Sequence, residues 1–211
     1  MKYRFCAAFF SMCCSLFLVC SLVNTAIADM YRTDSKGMSV FISAFTRIGM
    51  YSVEPEEIFS DEDHHKELIR FGICHNFLEH TDTRIKKVSS ADEHGDLMIS
   101  ADYVKESIEK YFDKNIDDFD KHATINDDDF SCYYDGSNFH FFTPDQKNAM
   151  LAKVTASRKI GSRIIMKGYL YNSSNEKEEQ AQFVAVTKRH IFKGIPRFAL
   201  ISLKILNRDK S

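Results

Sequence analysis

Apolar and polar positions change period once along the chain, near residue 128. Before it, apolar residues recur at helical spacing. Residues 38–47 carry Val40, Phe41, Ala44 and Phe45, an i, i+1, i+4, i+5 pattern that favours a short helix, with a strand as the alternative because of its β-branched content. Ser60 followed by Asp61, Glu62 and Asp63 reads as a helix start, the acids answering the helix dipole. That helix is predicted over 61–80. Ile69, Ile73, Asn76, Phe77 and His80 share one face, and Phe71, Cys74, His75 and Leu78 another. Apolar groups on two faces predict a helix packed on two sides. Residues 81–98 read as a polar connector with a solvated basic patch, Arg84, Lys86 and Lys87. Ser100 then caps a second helix, 100–112, with Val104, Ile108, Tyr111 and Phe112 as its stripe.

After residue 128 the period is two. Residues 130–134 and 138–142 flank Asp135-Gly136, a strong hairpin signal. Strands follow at 149–157, 163–171, 180–189 and 197–206, with turns at Lys159–Gly161, Asn172–Glu176 and Lys193–Pro196. Helices first and strands afterwards predict an α+β domain, its N-terminal helices packed on a curved antiparallel meander of five to six strands. Connections this short suit antiparallel neighbours.

The first 28 residues change the picture of what is made and where it works. Lys2 and Arg4 precede an uncharged apolar run, Phe5 to Val23, and Ala26 and Ala28 form an Ala-x-Ala site before Asp29. This is the pattern of a cleaved export signal, with an uncleaved anchor as the alternative. Neither Cys13 nor Cys20 follows a small residue, which argues against a lipid anchor. The expectation is a signal peptide over 1–28, a polar leader over 29–37 and one domain over 38–206, periplasmic or extracellular, with no membrane span after cleavage. The mature chain keeps 26 basic and 30 acidic residues. Taken as mixed along the chain, that mildly acidic balance offers no electrostatic reason to bind nucleic acid or anionic lipid. Two of the six cysteines remain, Cys74 and Cys132. Export permits a bridge between them, worth about 4 kcal/mol by loop closure. Two buried thiols are the equal alternative. Cys74 on its helix and Cys132, alternating with Phe130 and Tyr134, are expected to face each other across the core.

Candidate chemistry is sparse. Asp61, Asp63, His64, His65 and Glu67 crowd one helix start at spacings that let pairs meet, but they lack a zinc motif and fit a solvated first turn. Asp113, Asn115 and Asp117 follow a calcium-loop order, yet Asp118 and Thr124 stand where Gly and Glu belong, and the run Asp127–Asp129 adds only charge. No metal site and no cofactor loop is predicted. Cys74 and His75 are adjacent on a helix and point about 100° apart, so they form no catalytic pair. His75 or Asn76 more simply satisfies buried backbone groups. His140, Tyr133, Tyr134, Tyr169 and Arg163 lie on the predicted sheet, where they either pack across strands or line a pocket. The ligand-binding candidates are therefore His75, Asn76, Tyr134, His140, Arg163 and Tyr169, with no catalytic residue assigned.

The blocks FISAF, RFGICHNF, YVKESIEKYF and YYDGSNFHFF, in this order, resemble a family of uncharacterised exported bacterial proteins. The resemblance spans residues 38–206 and carries no catalytic residues. The helix-then-hairpin block is more faintly similar to secreted inhibitors of bacterial cell-wall DL-endopeptidases. Those relatives carry Gly after the Y-F of the second helix, whereas Asp113 follows Phe112 here, which predicts a different helix end. The fold this implies resembles cystatin-like and nuclear-transport-factor-like cones, an analogy that licenses no function. The functional expectation is an exported, non-enzymatic binding module for an unknown protein or small ligand of the cell envelope. The alternative is a small-ligand pocket protein or cone-fold enzyme with polar residues inside the sheet.

Overall fold

A computed structural model describes residues 35–53, 62–92, 94–116, 119, 124–127, 130–144 and 149–206. The predicted signal and its cleavage site, the cap at Ser60, Asp61, and the acidic positions Asp117, Asp118, Asp128 and Asp129 lie outside these residues. So do the side chains of Asp63, His64 and Asp127.

Helix α1 (Ser35–Thr46) buries Met38, Ile42 and Phe45, one turn apart on one face. It takes in the last residues of the predicted leader, and the helical reading of this segment prevails over the strand. Strand β1 (Ser52–Val53) is too short to carry a period, and only its pairing with a distant strand defines it.

Helix α2 (Glu62–Arg84) has a non-helical residue, His80 (φ −140°, ψ 23°), where the sequence predicts its end; one further turn follows this kink. It is packed on three sides. Phe71 meets Phe45 and Phe112 at ring distances of 5.0 Å each. The Arg70 guanidinium lies over the Phe130 ring, and Phe77 meets Phe141 edge-on. Gly72 and Asn76 turn to the third helix. A Cβ on Gly72 would sit 2.6 Å from Val104 Cγ1 and 3.0 Å from the Val104 carbonyl, so only glycine permits this approach.

The predicted connector 81–98 is instead the end of α2 and a hairpin, β2 (Ile85–Asp92) and β3 (Gly95–Ser100). β2 is an edge strand and tolerates the polar run Lys86 and Lys87, which masks its period; only Leu97 and Ile99 of β3 display alternation. Helix α3 (Ala101–Phe112) starts as predicted, with Ser100 Oγ accepting from the Asp102 amide. Its end does not differ as expected. Asp113 adopts the left-handed conformation that glycine favours (φ 56°), its amide donating to the Glu109 carbonyl. Its carboxylate takes Lys188 Nζ at 2.6 Å, and His190 Nε2 donates to the Lys110 carbonyl at 2.9 Å. These contacts with a strand hold an end that lacks glycine.

The remaining strands are β4 (Thr124–Asp127), β5 (Phe130–Tyr134), β6 (Asn138–Phe141), β7 (Leu151–Ile160), β8 (Arg163–Asn172), β9 (Asn175–Phe192) and β10 (Ile195–Leu206). The class is α+β and every strand pair is antiparallel. The single curved meander, however, is two sheets of five strands. One has the order β2-β3-β6-β5-β4, the other β1-β10-β9-β8-β7. The reason for the division lies at the outer edge of β7. Ser43 and Ser39 of α1 accept from the Ala152 and Val154 amides at 2.9 Å each, and Thr46 bonds Met150 in both directions. With β7 covered by a helix there, β6 pairs with β3.

Candidate functional site

The same docking of α1 leaves a groove of about 510 Å³ between α1, α2, α3 and the start of β7. Its lining includes Ser39, Ser43 and Ala44 of α1, His75 and Glu79 of α2, Tyr111 of α3, Lys153 of β7 and Tyr171 of β8. Arg47 and Glu79 form an ion pair at its edge.

His75 is the polar group at the floor. It is 3 % exposed, stacks parallel on Phe71 one turn earlier at 5.4 Å, and meets Tyr111 edge-on at 4.6 Å. Among the described residues, neither of its ring nitrogens has a hydrogen-bond partner, in contrast to neighbouring Asn76. Burial, and then the charges of Lys110, His80, Arg84 and Arg47, push its pKa down to about 3. Burial pushes the Tyr111 hydroxyl up to about 12, and it too has no hydrogen-bond partner among the described residues. At neutral pH the groove therefore presents an uncharged imidazole and an uncharged phenol. Each can give or take a hydrogen bond, and neither is poised to exchange a proton. A buried polar group without a partner costs about 1–3 kcal/mol, which a hydrogen-bonding occupant would offset.

The other predicted candidates are scattered. Asn76 is fully buried and ties two helices together. The two hydrogens of its Nδ2 are shared among the Gly72 carbonyl (2.7 Å), Ser107 Oγ (2.8 Å) and the Tyr103 carbonyl (3.2 Å), and its Oδ1 accepts from Arg84. Arg84 in turn bonds Glu106 at 2.9 Å. Tyr134 packs on Phe119 and Phe139. His140 bonds Asp135 across the hairpin at 2.9 Å. Arg163 is exposed at the start of β8. Tyr169 lies beside Tyr171 under the Lys153 ammonium. Only His75 of the six lines the groove. No local pattern marks Tyr111, Arg47, Glu79, Lys153 and Tyr171 as lining residues. The one available signal was the Ser39, Ser43, Thr46 series, a polar stripe one turn apart beside the apolar one.

Cys74 and Cys132 are both buried and neither is in a disulfide. Burial pushes the Cys74 thiol up to about 12, which keeps it protonated at neutral pH. Among the described residues, no group of three or more His, Cys, Asp or Glu is arranged to hold a metal ion. No helix of the described residues is long and apolar enough to cross a membrane. Set against known proteins, the chain matches no family model, no curated protein and no solved structure. The class these features define is an α+β protein of two antiparallel sheets with a helix-walled groove.

Proposed function

We propose that this chain is a non-enzymatic binding module whose groove takes a small, partly apolar ligand bearing a hydrogen-bonding group. The observation that carries the reading is His75: a buried, neutral ring without a hydrogen-bond partner, facing a cavity beside the equally unpartnered Tyr111 hydroxyl. Aromatic walls supply contact area, and two uncharged groups fix orientation, which is how small-ligand sites are commonly built. Holding both groups away from neutral pKa values favours recognition over acid–base chemistry. The export signal read from residues 1–28 supports binding outside the cytoplasm, in the periplasm or beyond the cell. The family resemblance of the helix and hairpin blocks agrees with an exported protein and adds no substrate.

The test is a titration of the full mature chain with phenol and with indole, followed by the ring signals of His75 and Tyr111 in nuclear magnetic resonance. Saturable shifts at both rings are expected, and their loss in Ala44→Trp, which fills the groove from α1. Absence of shifts up to millimolar probe, or equal shifts in Ala44→Trp, would end this reading.

A further inference from the structure

Charge is not mixed along the chain. Residues 29–149 hold 13 basic and 26 acidic residues, whereas residues 150–211 hold 13 basic and only 4 acidic. The near-neutral total conceals two opposed halves, and the fold concentrates the basic one further. Segments 155–167 and 188–204 contain nine Lys or Arg and no Asp or Glu. These segments are the ends of two neighbouring hairpins, β7–β8 and β9–β10. Arg163 pairs in register with Lys188, so both turns emerge at the same end of one sheet. β9 runs four residues past that point before its turn at Lys193-Gly194, so the second hairpin projects further.

All nine residues from Thr155 to Arg163 are exposed. Lys188 is taken by Asp113 and Lys193 by Glu106. Arg158, Lys159, Arg163, Lys167 and Arg189 have no carboxylate partner among the described residues. Among these cations three isoleucines stand in solvent: Ile160 at 50 %, Ile191 at 72 % and Ile195 at 41 % exposed. The β9–β10 turn carries two of them, either side of Lys193 and Gly194. Guard charges on an open strand edge would explain Arg158 and Lys159, but not apolar side chains at the most projecting points. A projecting tip with apolar ends and a cationic collar suits an interface that is anionic outside and apolar just beneath.

We propose that this end of the sheet is a peripheral docking surface for an anionic lipid bilayer. The isoleucines of the two turns enter the headgroup boundary, and the unpaired cations meet lipid phosphates. The groove is lined by α1, α2, α3 and the opposite ends of β7 and β8, at Lys153 and Tyr171, so the two readings rest on different residues and stand or fall separately.

The experiment is co-sedimentation of the mature chain with vesicles of phosphatidylcholine containing about 30 % phosphatidylglycerol, against phosphatidylcholine alone, at low and high salt. Binding to the anionic vesicles alone is expected, weakening as salt rises. A triple variant Arg158→Gln, Lys159→Gln, Arg189→Gln should bind about a hundredfold more weakly, at about fivefold per cation. Ile191→Ser should lose about tenfold. All four side chains are exposed, so each variant should unfold at the parent's temperature, which a thermal melt checks. No binding to anionic vesicles at low salt overturns the proposal. So does binding that is indifferent to Ile191→Ser, or retention on duplex DNA by a chain that ignores vesicles.

Discussion

The two sheets have the same number of strands but are held in different ways. In β1-β10-β9-β8-β7, four strands are consecutive hairpins of 10 to 18 residues, each joined to the next by a tight turn. Neighbours in sequence are neighbours in space, and the ladder of backbone bonds does much of the holding. In β2-β3-β6-β5-β4, strands run 4 to 8 residues, and β3 meets β6 only after α3 and two further strands intervene. So short a ladder leans on side chains. Phe139 and Phe141 are fully buried, with Phe119 edge-on to Phe139 at 5.0 Å and Phe77 of α2 edge-on to Phe141. One sheet is organised by local pairing, the other by a core brought from afar.

Four measurements press on that difference. The largest effect is expected from Phe139→Ala, at about 3–5 kcal/mol in denaturant unfolding. Its amide exchange should rise across β3, β5 and β6 well before β8–β10. Equal loss of protection in both sheets would show that they are one cooperative unit. Next is Gly168→Ala. An added Cβ would lie 1.9 Å from the Lys153 carbonyl oxygen, a backbone atom that cannot move without parting β7 from β8. About 3 kcal/mol is expected. A variant as stable as the parent would mean that the strands are not this close.

The third concerns the helices that lie between these regimes. His75 has its folded pKa lowered to about 3, below the unfolded value of 6.5. The unfolded chain therefore binds the proton more readily, and stability is full above pH 6.5 and falls as pH drops toward 3. About 2–3 kcal/mol should vanish between pH 7 and 4.5, and His75→Phe should flatten that window. An unchanged slope in His75→Phe would remove the ring from the account. The smallest effect is at Asp135. Partial burial raises its pKa, but bonds from His140 and from the Asn138 and Ser137 amides outweigh this and hold it at about 2. Stability from this turn is present above pH 4 and lost as pH falls toward 2. Because the carboxylate is a third exposed, it should amount to less than about 1 kcal/mol, detected as a smaller acid slope in Asp135→Asn.

The contrast also explains what could be read in advance. Hairpins β5–β6 and β7 to β10 were legible because turn residues and alternation lie within a few residues of each other. The α3 cap at Ser100 was legible for the same reason. β2 was not, since an edge strand rich in Lys and Ser shows no buried face, and β1 has only two residues. The division into two sheets was also hidden. It depends on Ser39, Ser43 and Thr46 meeting a strand more than a hundred residues away. Of the site, only His75 was marked, on residue type. Tyr111 falls on the apolar stripe of α3, and nothing local says that it also lines a groove. The opposition of charge is legible in the sequence too, but only when counted by segment, because the two halves nearly cancel in the total.

The hydroxyl stripe of α1 has one more consequence. An exposed strand margin is a template on which a second copy can lay its own strand, and repetition of that step grows fibres. Here three short side chains act as a stopper at residues 150–154, each occupying a backbone group that an incoming strand would need. A clip that removed the stretch before Ile48 would uncork that margin and also take Met38, Ile42 and Phe45 out of the core. If residues 1–28 are removed as the proposed export signal, the stopper would stand close to the new N-terminus, and chain ends are where peptidases trim most easily. How far trimming proceeds would then decide whether the protein stays single or polymerises.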